Sequence, residues 1–122
     1  MKLGEKQRVF SQTIAQFILW CYEQGYEVSL GDAYRDPRLH GASGVKMGYG
    51  HAKSCHKLRL AVDLNLFTDS VPGVDDDIFQ ASTEAHKPLG EKWKSMHELA
   101  RWGGDFSTPD GNHYSFEHEG QR

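Results

Sequence analysis

Leu58-Arg59-Leu60-Ala61-Val62-Asp63-Leu64-Asn65-Leu66 is the stretch on which the fold turns. Its even-numbered positions are all apolar, while Arg59, Asp63 and Asn65 share the other face, the period-two pattern of a strand with one face in a core. Asp63 therefore stands on the polar face. On the N-terminal side, Phe10, Ile14, Phe17, Ile18 and Cys21 recur at helical spacing and Gly25 stands where a C-terminal cap belongs, so an amphipathic helix is predicted over about 6–23. Tyr26-Glu27-Val28-Ser29-Leu30 alternates like a second strand and leads into Asp32-Ala33-Tyr34-Arg35-Asp36-Pro37, where Pro37 stops the element and leaves Arg35 near a strand end. Residues 37–54, with Gly41, Gly44, Gly48 and Gly50 and little apolar periodicity, read as a long surface loop, a length that in small domains goes with function or mobility.

On the C-terminal side, the acidic stretch 69–77 reads as a solvated loop, and its Asp75-Asp76-Asp77 run lacks the Gly and distal Glu of a calcium-binding loop. A second helix is predicted over about 88–100, with Pro88 in its first turn, Leu89, Trp93, Met96, Leu99 and Ala100 on one stripe, and Gly103-Gly104 ending it. A hairpin is then predicted from Asp105-Phe106 through Pro109-Asp110-Gly111-Asn112 to 113–117. These elements make one small α+β domain over 1–122, with a short, mainly antiparallel sheet packed with helices.

Composition narrows the function. At 122 residues with 38% hydrophobic and 25% charged side chains, the chain is globular and has room for one core. A net charge of −3 provides no footprint for a nucleic acid, and no stretch approaches the roughly 20 apolar residues of a membrane span. The opening MKLGEKQRVF has no apolar core of a signal peptide, so the expected location is cytosolic. Cys21 and Cys55 lack the spacing of a zinc knuckle and read as reduced thiols, Cys55 as a small packed one. Seven histidines are a high count, and histidine is the commonest metal ligand.

Two histidines and a carboxylate are a normal ligand set for catalytic zinc, which leaves a fourth position open. Ser54-Cys55-His56, Asp63 and Asp110-Gly111-Asn112-His113 contain such a set. On one straight strand His56 and Asp63 would stand roughly 23 Å apart and on opposite faces, so His56 must sit on a bend before the strand, folded back over its functional face. Asp63 and His113 then converge from neighbouring strands, and Asp110, in the turn, can lean toward the open position as a base.

Ser54-x-His56-x-x-x-x-Ala61-x-Asp63, then Trp102-Gly103-Gly104-Asp105-Phe106 and Asp110-x-x-His113-Tyr114, resembles the zinc peptidases that include D-alanyl-D-alanine carboxypeptidases and dipeptidases and the L-alanyl-D-glutamate endopeptidases of bacteriophage. Arg35 matches an upstream Arg of that family, whereas Arg59 stands where the family often carries Gly. The resemblance implies a hedgehog/D-Ala-D-Ala peptidase-like fold, one Zn²⁺ per chain held by His56, Asp63 and His113, and Asp110 as catalytic acid/base. It further implies Arg35 as a transition-state or substrate-carbonyl contact and Ser54 as a supporting or substrate-binding group. Trp102, an aromatic just before Gly-Gly, is expected to line a substrate groove. The implied activity is hydrolysis of a peptide bond in the peptidoglycan stem, by a monomeric phage endolysin with no stable membrane association, held in the host cytoplasm until released to the wall. Two alternatives stand beside it: a non-catalytic, zinc-stabilised wall-binding module and a bacterial D-alanyl-D-alanine carboxypeptidase. Of the other histidines, His118 falls on the strand face opposite His113, and His40, His51, His86 and His97 read as exposed, with His40 and His51, in the long loop, within reach of a substrate. Trp20, Trp93 and Met96 read as core, and Glu117, on the strand face of His113, is the next candidate base.

Overall fold

The computed structural model describes residues 1–47, 51–69 and 77–122; Gly48 and Gly50 of the expected loop and Asp75 and Asp76 of the acidic run lie outside them. The chain runs through α1 (Leu3–Glu23), β1 (Glu27–Leu30), α2 (Pro37–His40), a 3₁₀ turn (Cys55–Leu58), β2 (Ala61–Asp69), β3 (Asp77–Gln80), α3 (Thr83–Met96), β4 (Ala100–Trp102), a second 3₁₀ turn (Gly103–Asp105) and β5 (His113–Phe116). The sheet order is β1-β2-β5-β4, β3 also pairs with β2, and every one of these pairings is antiparallel. This is the expected α+β class.

The stripe predicted for the first helix is the one α1 buries, through Phe10, Phe17 and Cys21. The helix ends in a Schellman motif, with Gly25 N–H donating to the Tyr22 carbonyl (3.1 Å) and Tyr26 N–H to that of Cys21 (3.0 Å). Its aromatics meet those of α3 and β5: Phe17 packs on Tyr114 (ring centroids 5.1 Å) and Trp93 (5.3 Å), and Phe10 on Phe116 (5.3 Å). Trp93 is fully buried and its indole N–H donates to the Arg101 and Ser115 carbonyls (3.0 and 3.2 Å), which satisfies the one polar group of that ring. Trp20 is half-buried at the edge of this core, packed against Phe17 and Tyr26.

Four expectations change. The segment read as loop from 37 opens with α2, which Asp36 caps by accepting from Arg38 N–H (2.9 Å). The second helix begins at Thr83 rather than near 88, because Ser82 caps it by accepting a hydrogen bond from Ala85 N–H (3.1 Å) and Pro88 is carried inside the helix. It ends at Met96, where His97 turns the chain by accepting Leu99 N–H on Nδ1 (3.0 Å) and Ala100 N–H on its carbonyl (3.1 Å). The expected hairpin is a pairing of Ala100–Trp102 with His113–Phe116, so residues 103–112 form a long connection and Asp105-Phe106 is not a strand. Part of the expected acidic loop is strand β3 and the end of β2, paired from Leu66↔Gln80 to Asp69↔Asp77.

Helix α3 lies directly on β4 at Gly90. A Cβ there would stand 2.1 Å from Cδ2 of Trp102, so only a hydrogen fits between helix and indole. Overpacking this severe belongs at the upper end of its usual range, about 3 kcal/mol, which exceeds the roughly 1 kcal/mol that alanine gains over glycine in a helix. Gly90→Ala therefore lowers the urea midpoint of unfolding; a midpoint equal to or above that of the parent chain contradicts this packing.

Candidate metal centre and cleft

The bend required before β2 is the 3₁₀ turn Cys55–Leu58. Ser54 caps it, its Oγ accepting from His56 N–H (3.2 Å), and Arg59 ends it in the left-handed conformation at φ 56°. That conformation favours glycine and costs an ordinary residue about 1–2 kcal/mol; here the Arg59 guanidinium lies over the Tyr34 ring, 4.2 Å from its centroid, an attraction that offsets part of the strain. The strand proper begins at Ala61, two to three residues later than its alternation implied.

Behind the turn, the segment after β1 runs along β2: Gly31 N–H donates to the Asp63 carbonyl (2.8 Å), Asp63 N–H to that of Asp32 (2.7 Å), and Arg35 N–H to that of His56 (3.1 Å). The His56 ring is buried, and its Nδ1–H donates to the Ala33 carbonyl at 2.7 Å. This fixes the tautomer and leaves the Nε2 lone pair facing outward. Asp63 pairs in register with His113 of β5. The flanking bond from Leu64 N–H to the Asn112 carbonyl (2.9 Å) makes theirs a non-hydrogen-bonded pair, in which opposite side chains come closest.

The result is one point on which three donor atoms converge. His56 Nε2 lies 3.1 Å from Asp63 Oδ1 and 3.2 Å from His113 Nδ1, and His113 Nδ1 lies 3.6 Å from Asp63 Oδ1. Zinc bonds of about 2.0–2.2 Å in a tetrahedron place ligands about 3.3–3.6 Å apart, so the set fits that ion in both chemistry and spacing. His56, Asp63 and His113 could hold a metal ion. Burial alone would push the Asp63 carboxyl up, but the adjoining imidazoles of His113 and His56 outweigh it and hold the group down at about 2. The carboxylate is thus present as a charged ligand at neutral pH.

A cleft of about 650 Å³ opens over this point, lined by Arg35, Ser54, His56, Asp110 and His113 among others. Asp110 is exposed at its rim. Its backbone is tied in, with N–H donating to the Gly103 carbonyl (2.9 Å) and its own carbonyl accepting from His113 N–H (3.1 Å). A Cβ on Gly103 would lie 2.1 Å from the Asp110 carbonyl oxygen and 2.7 Å from His113 Cβ, so glycine is what lets the strand-end pass behind both residues. Arg35 is mostly buried; its Nη1 donates to Ser54 Oγ (2.9 Å) and its Nη2 stands 3.7 Å from Asp32.

Of the seven residues expected at the site, six meet here and Trp102 does not. The Trp102 ring is buried between β4 and α3, and its indole N–H donates to the Gly111 carbonyl at 2.8 Å, so it supports the Asp110 turn from behind rather than lining the cleft. His86 and His40 are buried rather than exposed. With α3 starting at Thr83, His86 falls on the same face as Leu89, Gly90 and Trp93, and its Nδ1 accepts from the Tyr114 hydroxyl at 2.9 Å. Burial lowers the pKa of His86 and raises that of Tyr114, which keeps the pair neutral. His118 accepts from the Lys6 ammonium (3.1 Å), and Glu117 is engaged by Arg101 (3.1 Å); neither lines the cleft. Cys55 is fully buried with its thiol on the Phe116 carbonyl (3.4 Å), and burial pushes both Cys21 and Cys55 up to about 12, which removes them as nucleophiles.

Lys57 was not legible as a site residue. Its buried ammonium donates to the carbonyls of His40 (2.7 Å), Ala42 (3.4 Å) and Val45, clamping the segment after α2 onto the turn that carries His56. Nothing in the sequence distinguishes it from a surface lysine.

Two imidazoles and a carboxylate beneath a cleft that also holds an exposed carboxylate and a fixed guanidinium are the parts of a metal-dependent hydrolase. The profile of the D-alanyl-D-alanine carboxypeptidase family matches residues 48–116, more than half the chain and spanning His56, Asp63, Asp110 and His113, and the protein belongs to that peptidase family. No curated protein matches the chain.

Proposed function

We propose that this protein is a zinc-dependent peptidase that hydrolyses the L-alanyl-D-glutamate bond of the peptidoglycan stem peptide, and that it serves a bacteriophage as an endolysin. The observation that carries the reading is the convergence of His56, Asp63 and His113 at tetrahedral spacing in one cleft with Asp110 and Arg35. The chemistry a zinc ion supplies in that ligand set is Lewis acidity toward an amide carbonyl and a water acidified to a pKa of about 7. Asp110, on the rim and able to reach into the cleft, accepts the proton of the attacking water and returns it to the leaving amine, a role worth about 10²- to 10⁴-fold. Arg35, held by Ser54 and Asp32, is a fixed donor for the carbonyl oxygen as it gains negative charge.

The choice of bond and the endolysin role rest on the likeness of the Ser54-x-His56 to His113-Tyr114 pattern to phage endopeptidases. On this reading the protein waits in the host cytoplasm until the wall becomes accessible. The description of the matched family favours a second reading, removal of the terminal D-alanine. Mass analysis of the products released from purified sacculi by the zinc-loaded protein separates them: the endopeptidase liberates peptides with a new amino-terminal glutamate, and the carboxypeptidase liberates free D-alanine. Sacculi that release neither product would refute both. A wall-binding module without activity has no use for a carboxylate beside the ligand set, and Asp110 argues against it.

A further inference from the structure

We propose that Lys53 and Arg122 form a receiving wall for a carboxylate of the substrate, and that this wall sets which side of the cleaved bond is acidic. The inference rests on the peptidase reading and adds to it the residues that choose the substrate. The chain is acidic overall, at −3, yet the cleft is lined by Arg35, Lys53 and Arg122 against Asp110 alone outside the metal set. The charge of Arg35 is shared with Asp32 and Ser54. Among the described residues neither Lys53 nor Arg122 forms an ion pair with an Asp or Glu side chain, and both line the cleft.

The position of Arg122 is built by the fold. His118 and Gln121 exchange hydrogen bonds (2.9 Å each) across a two-residue turn, Glu119-Gly120, in which both residues have positive φ, 49° and 82°, the primed geometry that reverses a chain tightly. Ser43 Oγ donates to Gln121 Oε1 (3.0 Å). Beyond this anchor, the Arg122 guanidinium lies over the Phe106 ring, 4.9 Å from its centroid, and Phe106 packs on His113 (5.3 Å). A planar cation stacked on an aromatic keeps its donors free and its orientation fixed, the arrangement suited to a carboxylate. Beyond Pro109 and Asp110, on their other side, lies a smaller hollow of about 290 Å³ whose polar lining, including Asn65, Gln80, Thr83 and Asn112, bears no cation. Charge is therefore asymmetric about Asp110: cations on one side, neutral amides and a hydroxyl on the other.

The carboxylate can be that of an acidic residue beside the cleaved bond or the peptide's terminus, and the test distinguishes them. Calorimetry on the zinc-loaded protein would use stem peptides with a ketomethylene in place of the L-alanyl amide, so that binding is read without turnover. One peptide carries all its carboxylates, one has the glutamyl carboxylate amidated, and one has the terminus amidated. The parent protein should bind the full acid about tenfold tighter than one of the two amides, the scale of a charged hydrogen bond, and the weaker amide identifies the source. In the Lys53→Gln/Arg122→Gln double variant the difference should vanish through weaker binding of the acid, and hydrolysis is read separately, on the cleavable acid with the parent protein. The proposal is overturned if the parent shows no preference, including by binding none of the peptides, or if the double variant keeps the preference. Discrimination without hydrolysis would sink the peptidase reading and leave the wall standing; hydrolysis without discrimination would do the reverse.

Discussion

Asp110→Asn should leave fold and zinc content at parent values while turnover on purified peptidoglycan falls about 10²-fold or more, the usual scale for a lost acid/base group. The amide keeps the volume and most hydrogen bonds of the carboxylate but cannot take a proton. Backbone bonds to Gly103 and His113 hold the turn, and neither depends on the side chain. Metal analysis, thermal melting and a turbidity assay on the same preparation are the measurements. Loss of zinc would make Asp110 a ligand and reopen the assignment of Asp63. Unaltered turnover would require another base, and Glu117, paired with Arg101 away from the cleft, would be a poor one.

The second large effect is expected at Asp63. Asp63→Ala removes the anionic member of the set and leaves two imidazoles 3.2 Å apart with nothing to complete the triangle. Substituting residues that merely orient metal ligands lowers affinity about 10- to 100-fold, so losing a ligand should exceed about 10²-fold, and turnover should fall to background. Competition with a chromophoric chelator reads the affinity, and far-ultraviolet circular dichroism verifies the fold. Retention of zinc at parent affinity would show that the ion binds elsewhere.

The sequence carried the site better than the elements around it. The alternation through β2 and the impossibility of joining His56 to Asp63 along a straight strand led to the bend, which the 3₁₀ turn and left-handed Arg59 supply. Pro88 looks like a first-turn residue and masks the helix start at Thr83, for which Ser82 gives the stronger capping signal three residues before Ala85. That one shift of boundary hid the burial of His86. The pairing of β4 with β5 leaves little local trace, because ten residues separate the strands and the turn chemistry at Pro109-Asp110-Gly111-Asn112 marks a nearer, incorrect hairpin. Lys57 and Trp102 were out of reach for another reason: their roles depend on backbone carbonyls and glycine contacts from distant segments, which leave no local pattern.

The facing of Asp63 with His113 across two neighbouring strands also makes the ligand set a gauge of correct assembly. Side chains alternate along a strand, so a slip of one residue between β2 and β5 would throw the carboxylate and the imidazole to opposite faces of the sheet. An ion bound by this set adds free energy only to the chain that has paired without error, since a ligand stabilises the state that binds it. Misregistered chains would gain nothing from it, and metal occupancy would count the correctly assembled molecules.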